Sequence, residues 1–510
     1  MKKILLLFLP ILFFVSSLFA AEISQLELYR RCTIHLTGKP IPFGSPVVAK
    51  IKNGEMKAKQ ACEELLNAGL LAEDGQLQNP NPVGKAVLKT FMNFHRTWFS
   101  ANTLEQIQDY TEEVARGTVD IYDPNEPALA LTKALLGKNS SYSDVLTAKT
   151  GVKALRVEDE KVKARLGYTS PMPSRRLFGN GVNETDPVSF RNMDSFWIST
   201  VADRKPDDLK IMPHIQVGDL VGIQNTTEAF QIQNLDLHPL GASTPGHLEA
   251  ELNYAYDFYK TQGGGVLGTP SFFLMNYGHP LGLKANGSTK IPRRWIRSAM
   301  ESFLCVSFPA LRETDIENFF VGNSTTSFRN GKSCLQCHGT FDQAAYTGRN
   351  IILGGTDFAG LTNFFNKNPV VMTTYKASKD SVAGWPSEPV VEFHLQKPTG
   401  ALYFRSASGA LINTPVQNIS DLGLAMSKTD DFYNCAARRY FEYFTGIHVL
   451  LYDKTDPLNA GLNRRLQSQD IKDRQYVEKL GRDLKKSQSM AQLINSIMSS
   501  DYYKSVNYRP

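Results

Sequence analysis

The chain has 510 residues, with 56 Lys and Arg against 50 Asp and Glu for a formal net charge of +6, and 42% of its residues are hydrophobic. This balance is ordinary for globular proteins and excludes a disordered, collagenous or disulfide-dense miniature scaffold. The charge drops by two units once Lys2 and Lys3 are removed, so it gives no ground for a nucleic-acid partner.

Lys2 and Lys3 precede an apolar run from Ile4 to Val15 and then Ser16-Ser17-Leu18-Phe19-Ala20, the layout of a secretory signal peptide over 1–20 with cleavage after Ala20. No Cys follows the run, so no lipid anchor is expected on the new N-terminus. The apolar stretch is short for a membrane span, and no later stretch is long and apolar enough to be one. The sequence therefore predicts a periplasmic, secreted or cell-surface protein without a transmembrane segment.

Four further stretches follow, and together they predict a mainly α, multi-domain chain with a minor β-hairpin and loop-rich insertion. Residues 21–169 read as an N-terminal helical domain. Apolar spacing marks helices from Ile23 to His35, closed by Gly38, from about Glu55 to Ala68, after the Asn-Pro punctuation at 79–82, and over 103–117 and 126–137. In the third of these, Val87, Phe91, Phe94 and Trp98 form a stripe, and His95 beside it reads as a hydrogen-bonded core residue more readily than as a ligand.

Residues 170–250 are rich in Pro, Asn and Asp around short alternating runs at 219–224 and 230–237, the pattern of strands or ordered loops. Residues 251–460 form a third predicted domain, and 461–510 a C-terminal helical segment whose charged helix, from Ser468 to Lys486, exposes its charges. Gly263-Gly264-Gly265-Val266-Leu267-Gly268 satisfies GxGxxG by its letters, but no buried strand precedes it. It reads instead as a loop into a helix capped by Thr269, with Pro270 in the first turn and Phe272, Phe273 and Met275 inside. A basic helix spans about Pro292 to Leu304. Val390–Leu395 and Ala401–Phe404 flank Lys397-Pro398-Thr399-Gly400 as a predicted hairpin.

Cys334-Leu335-Gln336-Cys337-His338 is a CxxCH. Thiols three residues apart on one helical turn reach the two vinyl groups on one edge of a porphyrin, and the adjacent imidazole turns to the iron. With six Cys and nine His in the chain, chance yields about 0.001 such matches. Cys334, Cys337 and His338 are therefore the candidate attachment site of one covalent haem c, with His338 its metal ligand, and 251–460 reads as a haem-binding domain resembling cytochrome c. A zinc site, a thioredoxin-like motif and a local disulfide are the competing accounts. The zinc site lacks a second ligand pair at short spacing. The thioredoxin-like motif lacks a βαβ context and has no use for the His. A disulfide between Cys334 and Cys337 would be strained.

The remaining four cysteines, Cys32, Cys62, Cys305 and Cys435, allow three pairings into two disulfides, or four buried thiols. The pair Cys32 with Cys62 is favoured, because both lie in neighbouring predicted helices.

The C-terminal half resembles the large exported cytochrome c-like proteins of planctomycetes and myxobacteria, in which a CxxCH lies between modules of unknown function. The resemblance rests on Gly264 to Leu274, His279-Pro280, the basic helix reaching Leu304-Cys305, and the CxxCH with Asp342 four residues on. It continues through Gly409, Pro415, Phe432, Cys435, Tyr443 and Gly446 to Ser500-Asp501-Tyr502-Tyr503. It covers 255–510, with an echo at Leu36-Thr37-Gly38, and departs from the family at Gln343 and Ile447. What it implies is an exported haem protein rather than a particular reaction.

The second axial position of the iron decides among functions, and Met372, Met426 and His279 are its candidates. A filled site suits a monohaem electron-transfer protein with a redox partner protein or a small-molecule donor or acceptor. An open one suits a haem peroxidase or oxidase, although a dihaem peroxidase would need a second CxxCH. A surface scaffold with a structural haem is the third alternative. HExxH and GxSxG are both missing from the sequence.

Overall fold

A computed structural model of the protein describes residues 22–99, 125–157, 219–226, 263–276, 291–324, 329–349 and 397–505, with short strands at 175–176, 210–212, 231–233, 255–258, 351–353 and 371–375. The leader 1–20, the helix expected at 103–117, His279 and the arm expected at 390–395 lie outside the described residues.

Helices dominate and begin where their caps are. Ser24 opens α1 (Gln25–Thr37) by accepting the Glu27 N–H at 3.2 Å, and Gly38 closes it at φ 65°, a left-handed conformation that glycine adopts without strain. A short α2 (Pro46–Lys52) leads to α3 (Ala58–Ala68), whose Cys62 is disulfide-bonded to Cys32 of α1. Asn81 caps α4 (Pro82–Arg96), accepting the Gly84 N–H at 2.8 Å, with proline at the first position. Val87, Leu88, Phe91, Met92 and His95 form the buried face of α4 and pack towards α5 (Glu126–Leu136) and α1.

A one-turn α6 (Asp144–Thr147) precedes β1 (Gly151–Arg156), which pairs antiparallel with β2 (Leu220–Thr226) from Gly151 opposite Thr226 to Arg156 opposite Leu220. The N-terminal helical domain expected over 21–169 thus includes a strand, in which Val152 and Ala154 are buried and Lys153 is less so, a period of two that only two apolar residues carry. Of the strands or ordered loops expected over 170–250, the run 219–224 lies in β2 apart from Asp219. A three-stranded antiparallel sheet places 371–375 between 255–258 and 351–353.

The Gly-rich run is a 3-10 turn, Gly265–Gly268, followed by α7 (Pro270–Met275). The Thr269 hydroxyl accepts the Phe272 N–H, and Phe272 and Phe273 are fully buried. The basic helix α8 (Ile291–Ala299) continues into a π turn, Met300–Leu304, and the motif helix α9 (Lys332–Ala345) follows. Of the predicted hairpin, the arm Ala401–Phe404 lies within a strand. Gly400–Arg405 (β3) pairs with Leu411–Val416 (β4), Arg405 opposite Leu411, through a turn in which Ser406 N–H donates to Ala410 O and Gly409 has φ 86°.

Next come α10 (Ile419–Ser427) and the central α11 (Asp430–Thr445), then α12 (Ser468–Ser487), α13 (Met490–Met498) and the short α14 (Asp501–Lys504). Phe432, Tyr433, Cys435, Ala436, Ala437, Tyr440, Phe441 and Phe444 of α11 are all buried. A helix apolar around so much of its circumference must be covered on several sides, and α11 is covered by α12, α13 and the π turn. Tyr142 stacks on Phe432 with ring centroids 4.3 Å apart. One cluster of buried side chains runs from Leu28 to Tyr503 and joins the first helices to the last. Among the described residues no helix is long and apolar enough to cross a membrane.

Candidate functional site

Helix α9 is held by the two residues inside its motif. Leu335 inserts into a small apolar cluster with Leu311, Ile316 and Tyr403, separate from the main core. Gln336 donates from Nε2 to the Leu311 carbonyl at 3.1 Å, and its own carbonyl accepts the Ala310 N–H at 3.3 Å. The supporting segment is braced in turn. Arg405 of β3 clasps Asp315 through two hydrogen bonds of 2.8 and 2.7 Å, the Tyr403 hydroxyl donates to the Asp315 carbonyl at 2.7 Å, and Arg312 pairs with Asp453. Burial alone would raise the Asp315 carboxyl, but the hydrogen bonds and charge from Arg405 and Arg312 outweigh it and hold that carboxyl below its ordinary range.

With about 100° between successive helical residues, inward Leu335 and Gln336 leave Cys334, Cys337 and His338 on the other side. Cys334 is exposed, Cys337 is half-buried, and the His338 side chain is 27% exposed. Neither thiol is in a disulfide, whereas the other four cysteines form two: Cys32 with Cys62, as favoured from the sequence, and Cys305 with Cys435. The second fastens the end of the π turn to α11.

Helix α8 packs along α9. Trp295 and Ile296 anchor it inward, Trp295 stacking on Phe273 at 4.8 Å and donating from Nε1 to the Leu267 carbonyl at 2.9 Å. Its arginines turn towards the motif. Arg293 grips Asp342 through Nε to Oδ1 and through Nη2 to Oδ2 at 3.1 Å, and Asp342 Oδ1 also lies 3.5 Å from His338 Nδ1, one turn earlier on α9. Burial would raise the Asp342 carboxyl, yet hydrogen bonds from His338 and Arg293 and the charge of Arg293 keep it low. Burial pushes the Cys337 thiol up, against the charge of Arg297 and with that of Cys334. Phe341 sets its ring edge-on to His338 at 6.3 Å and packs on Phe308 at 4.4 Å.

The donor set fits a covalent haem: two unbridged thiols at i and i+3, both reachable from outside the helix, with an imidazole beside them. Cys334 and Cys337 would hold the macrocycle and His338 the iron. Of the expected second ligands, Met426 is fully buried on α10 and belongs to the main core, not to the small cluster that holds Leu335. Met372 lies on the strand 371–375, opposite Phe258 and Ile352. His95 is a core residue, donating to or accepting from Thr132 Oγ1 at 2.8 Å and Tyr440 OH at 2.6 Å.

Sequence reasoning reached the motif but not its surroundings. The spacing of Asp342 four residues after His338 was the available signal. Arg293 and Arg297 come from another helix, and no local pattern assigns them to the motif. Among the described residues no group of three or more His, Cys, Asp or Glu could hold a bare metal ion. Comparison of the chain with protein-family models, with curated proteins and with solved structures finds no match.

Proposed function

We propose that the protein is an exported monohaem c-type cytochrome-like protein that carries electrons between a redox partner and a second donor or acceptor outside the cytoplasm. The observation that carries this is the sorting of the six cysteines. Four are buried and paired, and the remaining two share the outward face of α9 with His338. Two disulfides also suit an oxidising compartment, the one in which the leader read from the sequence would deliver the chain.

When bound, the haem supplies a one-electron ferric and ferrous couple. The chain's own residues do the rest. Leu335 and Gln336 fix the helix so that both thiols keep one orientation. His338 offers a ring nitrogen, and the resemblance to the exported cytochrome c-like proteins agrees with that role. Arg293 and Arg297 lie on the neighbouring helix, each already paired with a carboxylate, Asp342 and Glu301 respectively.

The test is acid-acetone extraction of protein purified from the periplasm, followed by a reduced pyridine spectrum. Haem that stays with the polypeptide supports the proposal, and its complete extraction would sink it. Carbon monoxide added to the reduced protein then separates electron transfer from peroxide or oxygen chemistry. An unchanged spectrum means a closed iron, as electron transfer requires.

A further inference from the structure

His338 turns Nδ1 inward. Its Nδ1 is closed off from solvent, so the 27% exposure of the side chain belongs to the rest of the ring. The group facing Nδ1 is Asp342, whose side chain is 16% exposed and whose two oxygens both take donors from Arg293. An ionised carboxylate only accepts, so the ring atom turned towards it is the one that carries the proton. That leaves the Nε2 lone pair uncommitted to a proton.

We propose that Asp342, anchored across the helix pair by Arg293, is a positioning residue for His338. It holds the Nδ1 proton, thereby selects the tautomer whose Nε2 binds iron, and lowers the reduction potential of the haem. The inference rests on the haem-attachment proposal above. A carboxylate on the remote nitrogen makes an imidazole a more basic ligand, and a more basic ligand favours the ferric state. Arg293 fixes the carboxylate from a second helix, so the orientation of the imidazole depends on the packing of α8 against α9. The rival account makes Asp342 a helix cross-link with no bearing on the ring.

The experiment uses the haem-loaded protein and its variants, with covalent haem quantified first by mass spectrometry. In a potentiometric titration, Asp342→Asn is expected to raise the midpoint potential by about 59 mV or more, a tenfold change in a one-electron equilibrium. Asp342→Glu returns it most of the way. In proton NMR of the ferric protein, the His338 Nδ1 proton exchanges slowly in the parent and faster in Asp342→Asn. Arg293→Gln, which leaves the carboxylate in place but unanchored, also speeds that exchange, and it decides the matter if Asp342→Asn does not fold. Full haem loading with unchanged potential and exchange would overturn the positioning role and leave attachment standing. A parent protein without covalent haem overturns both.

Discussion

His95 on α4 and Tyr440 on α11, 345 residues apart in sequence, are joined by a 2.6 Å hydrogen bond at the centre of the core. The other ring nitrogen of His95 meets Thr132 Oγ1 at 2.8 Å, and the single Thr132 hydroxyl proton is already given to the Ala128 carbonyl at 2.7 Å. Thr132 must therefore accept, so His95 carries its proton on Nδ1 and takes the Tyr440 proton on Nε2. A neutral imidazole satisfies every partner, and an imidazolium would leave the Tyr440 hydroxyl facing a second donor.

Acid stability follows from that network. Burial pushes the His95 imidazole down to about 3 and the His35 imidazole, partly buried and beside Arg31, down to about 4, from an ordinary 6.5. Below pH 6.5 the unfolded chain binds protons that the folded chain refuses. Stability is thus complete above that pH and falls as pH drops towards 4, by up to about 1.4 kcal/mol per histidine per pH unit. Urea midpoints at pH 7.5 and 5.5 measure this. His95→Gln removes one of the two contributions, so an unaltered pH slope in that variant would contradict the assignment. The substitution itself disturbs a buried network and should cost about 1–3 kcal/mol at pH 7.5.

The two disulfides close loops of very different size, with sequence separations of 30 for Cys32 to Cys62 and 130 for Cys305 to Cys435. Chain entropy then assigns about 3.7 kcal/mol to the first and about 5 kcal/mol to the second. Replacing Cys305 and Cys435 together by serine should lower the melting temperature more than replacing Cys32 and Cys62, and calorimetry on both variants checks the order. Equal losses would mean that chain entropy does not set the difference.

How far the sequence led differs between elements for physical reasons. The helices α1, α4, α11 and α12 showed themselves because each carries an apolar stripe at helical period between a cap and a glycine or polar stop. The pairing of Cys32 with Cys62 was legible because both ends lie on adjacent helices. Strand β1 was hidden because Val152 and Ala154 alone mark its inner face, and its partner is remote in sequence. The strand at 401–404 was legible from its apolar run, but its pairing with β4 was not, because Ser406 to Gly409 makes that turn through side-chain and backbone hydrogen bonds. At the site, the motif is five consecutive letters, whereas the Arg293 contact is tertiary and leaves no trace in local spacing.

Leu335 tests the idea that the motif helix is held from within. Its side chain is 3% exposed and packs in a cluster of four buried residues, so Leu335→Ala should cost about 2–4 kcal/mol while leaving both thiols and His338 in place. Thermal denaturation of the variant reads the cost. A loss below about 0.5 kcal/mol, the range of surface substitutions, would show that this cluster does not support α9.

Attachment itself separates the three residues of the motif. Cys334→Ser and Cys337→Ser each leave one thiol on the face, so each variant should retain some covalent haem, and the double variant none. His338→Ala leaves both thiols free to bond while removing the imidazole, so the product should carry covalent haem with an altered, ligand-accessible iron spectrum. Mass spectrometry of the intact denatured chain gives the covalent yield, and the spectrum of the folded protein reports the ligand. The parent and every single variant must also keep the two disulfides among Cys32, Cys62, Cys305 and Cys435, seen as resistance of those four to alkylation without reductant. Alkylation of any of the four would reassign the thiols and leave Cys334 and Cys337 without the special standing that points to haem.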